Sequence, residues 1–186
     1  MYSIAPSSQA FSRNKLAGFT LIEMMTVIAV LAVLMALAAP SFTPLMERWR
    51  VRQASELFQS TIYFARSEAL KGGGNVVISS LPAGACNGAG WDCGWQVCVD
   101  ADADQACGNG ETILQRYDTP NGVTVARTGA GAGNIVVDSR GFFNSASNFN
   151  VIPSGKTASD PSAKGVCIDA SGIVRIVPSH GGAINC

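Results

Sequence analysis

An unbroken apolar run at residues 19–39, FTLIEMMTVIAVLAVLMALAA, constrains this chain more than any other feature. Its 21 residues are enough to cross a hydrocarbon layer about 30 Å thick as a helix. One residue conflicts with a plain anchor: Glu23, close to the start of the run. A carboxylate inside such a segment costs roughly 2.5 kcal/mol or more on insertion, so it needs a use. Gly18 stands directly before the run, and Arg13 and Lys15 lie in the stretch ahead of it.

Two readings of residues 1–18 follow. An ordinary secretory signal is cut after its hydrophobic region, at small residues, and Ala38-Ala39-Pro40 imitates such a site weakly. The alternative is cleavage after Gly18, which leaves the apolar run on the mature chain. The residues beyond Pro40 favour the alternative. Leu45, Trp49, Ala54, Leu57/Phe58, Thr61/Ile62, Ala65 and Ala69 form a stripe at helical spacing, with Arg48, Arg52, Gln59 and Arg66 opposite. Nothing between 42 and 71 has the composition of a linker, and Gly72-Gly73-Gly74 supplies the stop. The expectation is one helix of about fifty residues, near 80 Å long. It is lipid-soluble over 19–39 and amphipathic over 40–71, with a bend where Pro40 and Pro44 remove backbone donors. Arg48, Arg50 and Arg52 suit either lipid headgroups or a solvated helix face.

Gly18-Phe19-Thr20-Leu21-Ile22-Glu23, followed by the apolar run and Pro40, resembles the class III signal of type IV pilins and type II secretion pseudopilins. The resemblance implies cleavage by a prepilin peptidase after Gly18 and N-methylation of Phe19. It also implies that Pro40 is the helix-bending proline, and that Glu23 neutralises the terminal amine of a neighbouring subunit. The physics agrees: an ammonium and a carboxylate can compensate each other across a subunit contact, where either alone is an unpaired charge among apolar side chains.

From Asn75 the period changes. Short β-branched runs occur at 76–78, 95–99, 112–117, 123–125, 135–137, 166–168 and 173–177. Asn121-Gly122, Arg140-Gly141 and Ser171-Gly172 supply turns between them, the last as the turn of a final hairpin. The fold class expected is α+β, a long N-terminal helix packed on an antiparallel β-sheet domain spanning 72–186. All six cysteines lie in that domain. Their even number points to disulfides made in an oxidising compartment. The competing zinc reading lacks paired C-x2-C knuckles, and His180 is the chain's single histidine. Proximity in sequence favours Cys86–Cys93, Cys98–Cys107 and Cys167–Cys186. Ala65-Arg66-Ser67-Glu68-Ala69 and Gly94-Trp95-Gln96-Val97 with Asp100 resemble segments of the GspH/FimT (FimU) group of minor pilins and pseudopilins.

Three further places invite a chemical reading. Asp100, Asp102 and Asp104 alternate, with Glu111 at the twelfth place from Asp100, a partial match to an EF-hand calcium loop. Gln105 occupies the place of the required glycine, no helix flanks the loop and a cysteine interrupts it, so the competing reading is a solvated loop closed by Cys98–Cys107. Arg175 falls where DNA-binding members of the resembled group carry a basic turn, but Ile173 replaces the first arginine of that turn. Residues 72–186 hold six basic and nine acidic side chains, about −3, a poor phosphate-binding surface. Nucleic acid is therefore not an expected partner. With one histidine, no Gly-x-Ser-x-Gly and no phosphate loop, neither an enzyme nor a cofactor is expected, calcium excepted.

The resemblance implies a non-enzymatic subunit that waits in the bacterial inner membrane as a single-pass protein, its C-terminal domain in the periplasm. It would meet lipid and prepilin peptidase first, then other minor and major pilins or pseudopilins in a fibre. A minor pilin that primes assembly or forms part of the tip is the leading expectation. A GspH-type secretion pseudopilin and a DNA-uptake minor pilin are the alternatives.

Overall fold

A run of eight buried side chains on one helix face organises the larger part of the chain. The structure, a computed structural model, describes residues 18–38, 42–82, 84, 86, 90–108, 110–128, 133–182 and 184–186. Contacts divide the chain into two units, residues 1–40 and residues 41–186. The first contains α1, Leu21–Ala38. The second begins with α2, Thr43–Gly72. The expected join and the bend at Pro40 lie outside the described residues. Pro44 does not break a helix; it stands in the first turn of α2, where an amide N–H has no intrahelical acceptor to lose. At the other end Gly73 takes a left-handed φ of +66° and its N–H reaches the Ala69 carbonyl at 3.0 Å, so the glycine triplet ends the helix. Among the described residues no helix is long and apolar enough to cross a membrane. The 18 residues of α1 extend about 27 Å.

Val51, Ala54, Ser55, Phe58, Thr61, Ile62, Ala65 and Ala69 form the buried face of α2. The expected stripe therefore starts one turn too early, since Leu45 and Trp49 are exposed and Val51 is the first buried residue. Arg66, expected on the solvated face, is half-buried, and its guanidinium lies against Gly172.

Two four-stranded antiparallel sheets receive this face. One has the order β3-β2-β1-β5, built from β1 (Asn75–Ser80), β2 (Gly94–Asp100), β3 (Ile113–Asp118) and β5 (Ile135–Val137). The other has the order β4-β6-β7-β8, built from β4 (Val123–Thr128), β6 (Ser147–Pro153), β7 (Lys164–Ile168) and β8 (Val174–Pro178). Seven strands match the sequence reading; β6 does not. Its inward residues are Ser147, Phe149, Val151 and Pro153. Serine, asparagine and proline hide a strand that is nonetheless interior to its sheet, paired with β4 and β7.

Phe58 joins the layers. Its ring meets Trp95 of β2 at 4.8 Å and 85°, and Phe149 of β6 at 4.5 Å and 59°. Trp91, from a short 3-10 helix at Gly90–Cys93, closes the cluster 4.8 Å from Phe149. Trp95 is fully buried, and its indole N–H donates to the Thr61 hydroxyl at 3.0 Å, so its polar edge is satisfied. Asp92 accepts the Val125 N–H at 2.8 Å and ties the 3-10 turn to β4.

Turn carboxylates hold the connections. Asp169 accepts from the Ser171 hydroxyl (2.6 Å) and the Ile173 N–H (3.0 Å) in the β7–β8 hairpin, where Gly172 takes φ +85°. The Ser171 hydroxyl, then the Ile173 N–H, hold the Asp169 carboxyl below its ordinary range. The Phe142 N–H does the same for Asp138, and the Ser162 N–H followed by Lys156 for Asp160. A depressed folded pKa contributes stability that is present above the unfolded value and lost as pH falls through the folded one.

Two measurements check this account. Phe58→Ala should cost about 3–5 kcal/mol in denaturant titration, because its cavity faces both sheets and cannot collapse onto either. Melting temperature should fall below about pH 4 as these carboxylates protonate. Asp169→Asn should flatten that fall, whereas an unchanged acid limb would show that the turn does not carry it.

Candidate functional site

α1 is apolar on every side. Glu23 and Thr26 are the two polar side chains within Leu21–Ala38, and the Thr26 hydroxyl donates to the Glu23 carbonyl at 2.9 Å. Glu23 is the one ionisable side chain of the helix, and its carboxylate has no ion-pair partner among the described residues. Along the helix the apolar side chains are exposed, Leu21 to 77%, Ile22 to 65% and Leu37 to 72%. A helix apolar all round belongs inside lipid or other helices.

Its start carries a signal that the sequence reading missed. Thr20 and Glu23 are spaced as a capping box, and the Glu23 N–H donates to the Thr20 hydroxyl oxygen at 3.3 Å. Thr20 thus determines where the helix begins and places Glu23 in its first turn, where the partial positive charge of the helix end favours a carboxylate. Gly18, Phe19 and Thr20 lie ahead of the helix in irregular, exposed backbone, with Phe19 78% exposed. The peptide bond between Gly18 and Phe19 thus lies in exposed, irregular backbone ahead of the helix that starts at Leu21.

In the second unit disulfides join Cys86 to Cys93, Cys98 to Cys107 and Cys167 to Cys186. The first anchors the loop that carries Trp91. The second links β2 to the β2–β3 loop. The third ties the last residue to β7. The two family-like segments hold the core: Ala65 and Ala69 are buried under the sheets, as are Trp95 and Val97. Gly94 has φ +118°, and a Cβ there would lie 2.9 Å from the Asp118 Cα, so only glycine fits the start of β2.

The β2–β3 loop gathers Asp100, Asp102, Asp104 and Glu111, with one oxygen of each within 4.8 Å of the others. Asp100 is buried, Glu111 half-buried, and Asp102 and Asp104 exposed. Arg175 is exposed on β8 opposite Cys167, with the exposed apolar Ile173 two residues before it. His180 is exposed in the segment after β8. At the β7–β8 turn that precedes Arg175, the guanidinium of Arg66 lies against Gly172.

The prokaryotic N-terminal methylation motif matches residues 13–39, and the family described as type II transport protein GspH matches residues 54–172, well over half of the chain. No curated protein matches. Among solved structures the chain is similar to the type IV minor pilin FimU of Pseudomonas aeruginosa strain PAO1. That likeness has 19% identity and a TM-score of 0.53 over 73% of this chain and 93% of that one. A second crystal form of FimU gives 18% identity and 0.51 over 68% and 92%. The minor pseudopilin EpsH from the Type 2 Secretion System of Vibrio cholerae gives 13% and 0.49 over 69% and 97%. The FimU likeness is one of fold: a helix on antiparallel sheet. With both signatures in place, the chain belongs to the GspH family of pilin-like structural subunits, minor pilins or secretion pseudopilins, and not to an enzyme family.

Proposed function

We propose that this chain is a minor pilin of a type IV pilus, a subunit that primes fibre assembly or forms part of its tip. The observation that carries the reading is α1: a helix apolar on all faces, with one unpartnered carboxylate in its first turn, behind an exposed Gly18–Phe19 bond. Prepilin peptidase cuts after Gly18 and methylates the new amine of Phe19. The apolar run, extended through Ala39, holds the subunit in the inner membrane with its C-terminal domain in the periplasm. In the fibre α1 exchanges lipid for neighbouring helices, an association of close-packed apolar surfaces. Glu23 then pairs with the Phe19 ammonium of another subunit, which removes two unpaired charges from the bundle and sets the axial register.

The secretion pseudopilin is the second reading, supported by the match to the type II transport family. The two disulfides of residues 86–107 suit either setting, because the periplasm and the cell exterior are both oxidising.

Glu23→Gln should leave cleavage and methylation intact by mass spectrometry of the mature chain. It should reduce incorporation into sheared filaments at least about tenfold, because an ammonium left unpaired in an apolar bundle costs several kcal/mol. Normal incorporation of the variant would sink the pairing. Deletion of the gene separates the two settings: lost surface filaments support the pilus, whereas lost protein secretion with filaments intact supports the pseudopilus.

A further inference from the structure

We infer that the β2–β3 loop is a calcium site built by Asp100, Asp102, Asp104 and Glu111. Four carboxylates each place one oxygen within 4.8 Å of the rest. No ion pair among the described residues involves any of the four. Such convergence without a cation is electrostatically unfavourable, and a solvated acidic loop would relieve it by splaying its side chains.

The independent observation is Asp100. It is 7% exposed, at the end of β2, and its Oδ2 is buried with no hydrogen-bond partner. Burying a carboxylate oxygen while leaving it unpaired forfeits its hydration for nothing, unless a ligand supplies the missing contact. The exposed Asp102 and Asp104 leave an entry path from solvent.

The loop backbone already orients these groups. The Gln105 N–H reaches Asp100 Oδ1 at 3.4 Å, the Asp104 N–H reaches Asp102 Oδ1 at 3.2 Å, and the Ala106 N–H reaches Asp104 Oδ1 at 2.8 Å. Oδ2 of each aspartate accepts no hydrogen bond among the described residues. Glu111 arrives from the far side of the loop, held through Oε1 by the Ala101 N–H and through Oε2 by the Gly108 N–H, both at 2.9 Å. The Cys98–Cys107 disulfide clamps the loop to β2. Of the three sequence objections to an EF-hand loop, the missing flanking helices and the interrupting Cys107 stand, so the site is not an EF-hand. The third is Gln105 at the place of glycine. Gln105 has φ +64°, the left-handed conformation that place requires, so the geometry is reached without the glycine.

Oxygens on opposite sides of a bound calcium ion are separated by about 4.6–5.2 Å, and four oxygens within 4.8 Å of one another fit around such an ion. Magnesium demands a near-ideal octahedron and sheds its waters reluctantly, which a cluster of four carboxylates on one loop does not supply. Four carboxylates with waters reach the six to eight oxygens calcium takes. A bound ion would fasten the β2–β3 loop at the edge of the first sheet. This holds whether the subunit serves a pilus or a pseudopilus.

The test is calorimetric titration of the chelator-stripped full chain in detergent with calcium chloride, and with magnesium chloride in parallel. One saturable site is expected, with a Kd of roughly 10⁻⁵–10⁻³ M and magnesium at least about tenfold weaker. Calcium at about 100 times Kd should raise the melting temperature by about 5 °C or more. The double variant D102N/D104N, at two exposed positions, should fold with the melting temperature of the stripped wild type and bind calcium at least about tenfold more weakly. The absence of both heat and a melting shift at about 10 mM calcium would overturn the site. So would wild-type affinity in D102N/D104N.

Discussion

Phe58 is the contact on which the rest of the β domain depends. One ring, on one turn of α2, touches Trp95 of the first sheet and Phe149 of the second, with Trp91 completing the cluster. Two separate four-stranded sheets have no hydrogen bonds to each other in the strand pairings. Phe143, bridged to Val137 of the first sheet and donating its N–H to the Ala170 carbonyl in the β7–β8 turn, gives one backbone link between them. The rest of their relation is set by side chains, of which the aromatic cluster supplies the largest. The Trp95–Thr61 hydrogen bond adds direction to that packing, because the indole N–H must find its partner on the helix. Small residues at Ala54, Ala65 and Ala69 let the sheets approach the helix closely on either side of Phe58.

The two units divide the physical work. In the second unit the helix spends its apolar face on its own sheets, and the turns are held by carboxylates that accept backbone and hydroxyl hydrogens. In the first unit the side chains of α1 are exposed from Leu21 to Leu37. Apolar surface of that extent is a binding surface, not a core. A pilin-like subunit needs both: a domain stable enough to be carried, and a helix that is satisfied only in company. Three disulfides reinforce the carried part, each closing a short segment onto a strand or onto the first sheet.

Much of this was legible from the chain. The class III signal, the stop at the glycine triplet, seven of the eight strands and the β7–β8 turn follow from local residue patterns, and sequence proximity picks out the three disulfide pairs seen here. The failures have equally specific causes. β6 escaped notice because Ser147, Asn148 and Asn150 look like loop, and its burial comes from strands on both sides, not from its own composition. Leu45 and Trp49 fit the helical period but are exposed, and the buried face of α2 begins only at Val51. Pro44 looked like an interruption and is a helix start. Arg66 looked solvated, and its guanidinium instead lies against Gly172 of the hairpin turn. For Leu45, Trp49 and Arg66 the local pattern was right about the helix and silent about what stood opposite; for β6 and Pro44 it misread the element itself.

Sequence alone determined α1 as an apolar helix with one carboxylate, because composition over a single helix needs no distant partner. It also located the N-terminal methylation motif and favoured the pairing of cysteines close together in the chain. Only the tertiary structure decided that eight strands form two sheets, that Phe58 would bridge them, and that Asp100 would be buried beside Asp102, Asp104 and Glu111. Spacing can suggest a cation loop, but the chain around it must fold before four carboxylates converge and one oxygen is closed off from water. That closing-off depends on β1, β2 and the Cys98–Cys107 link together, a three-dimensional fact that no stretch of twelve residues contains.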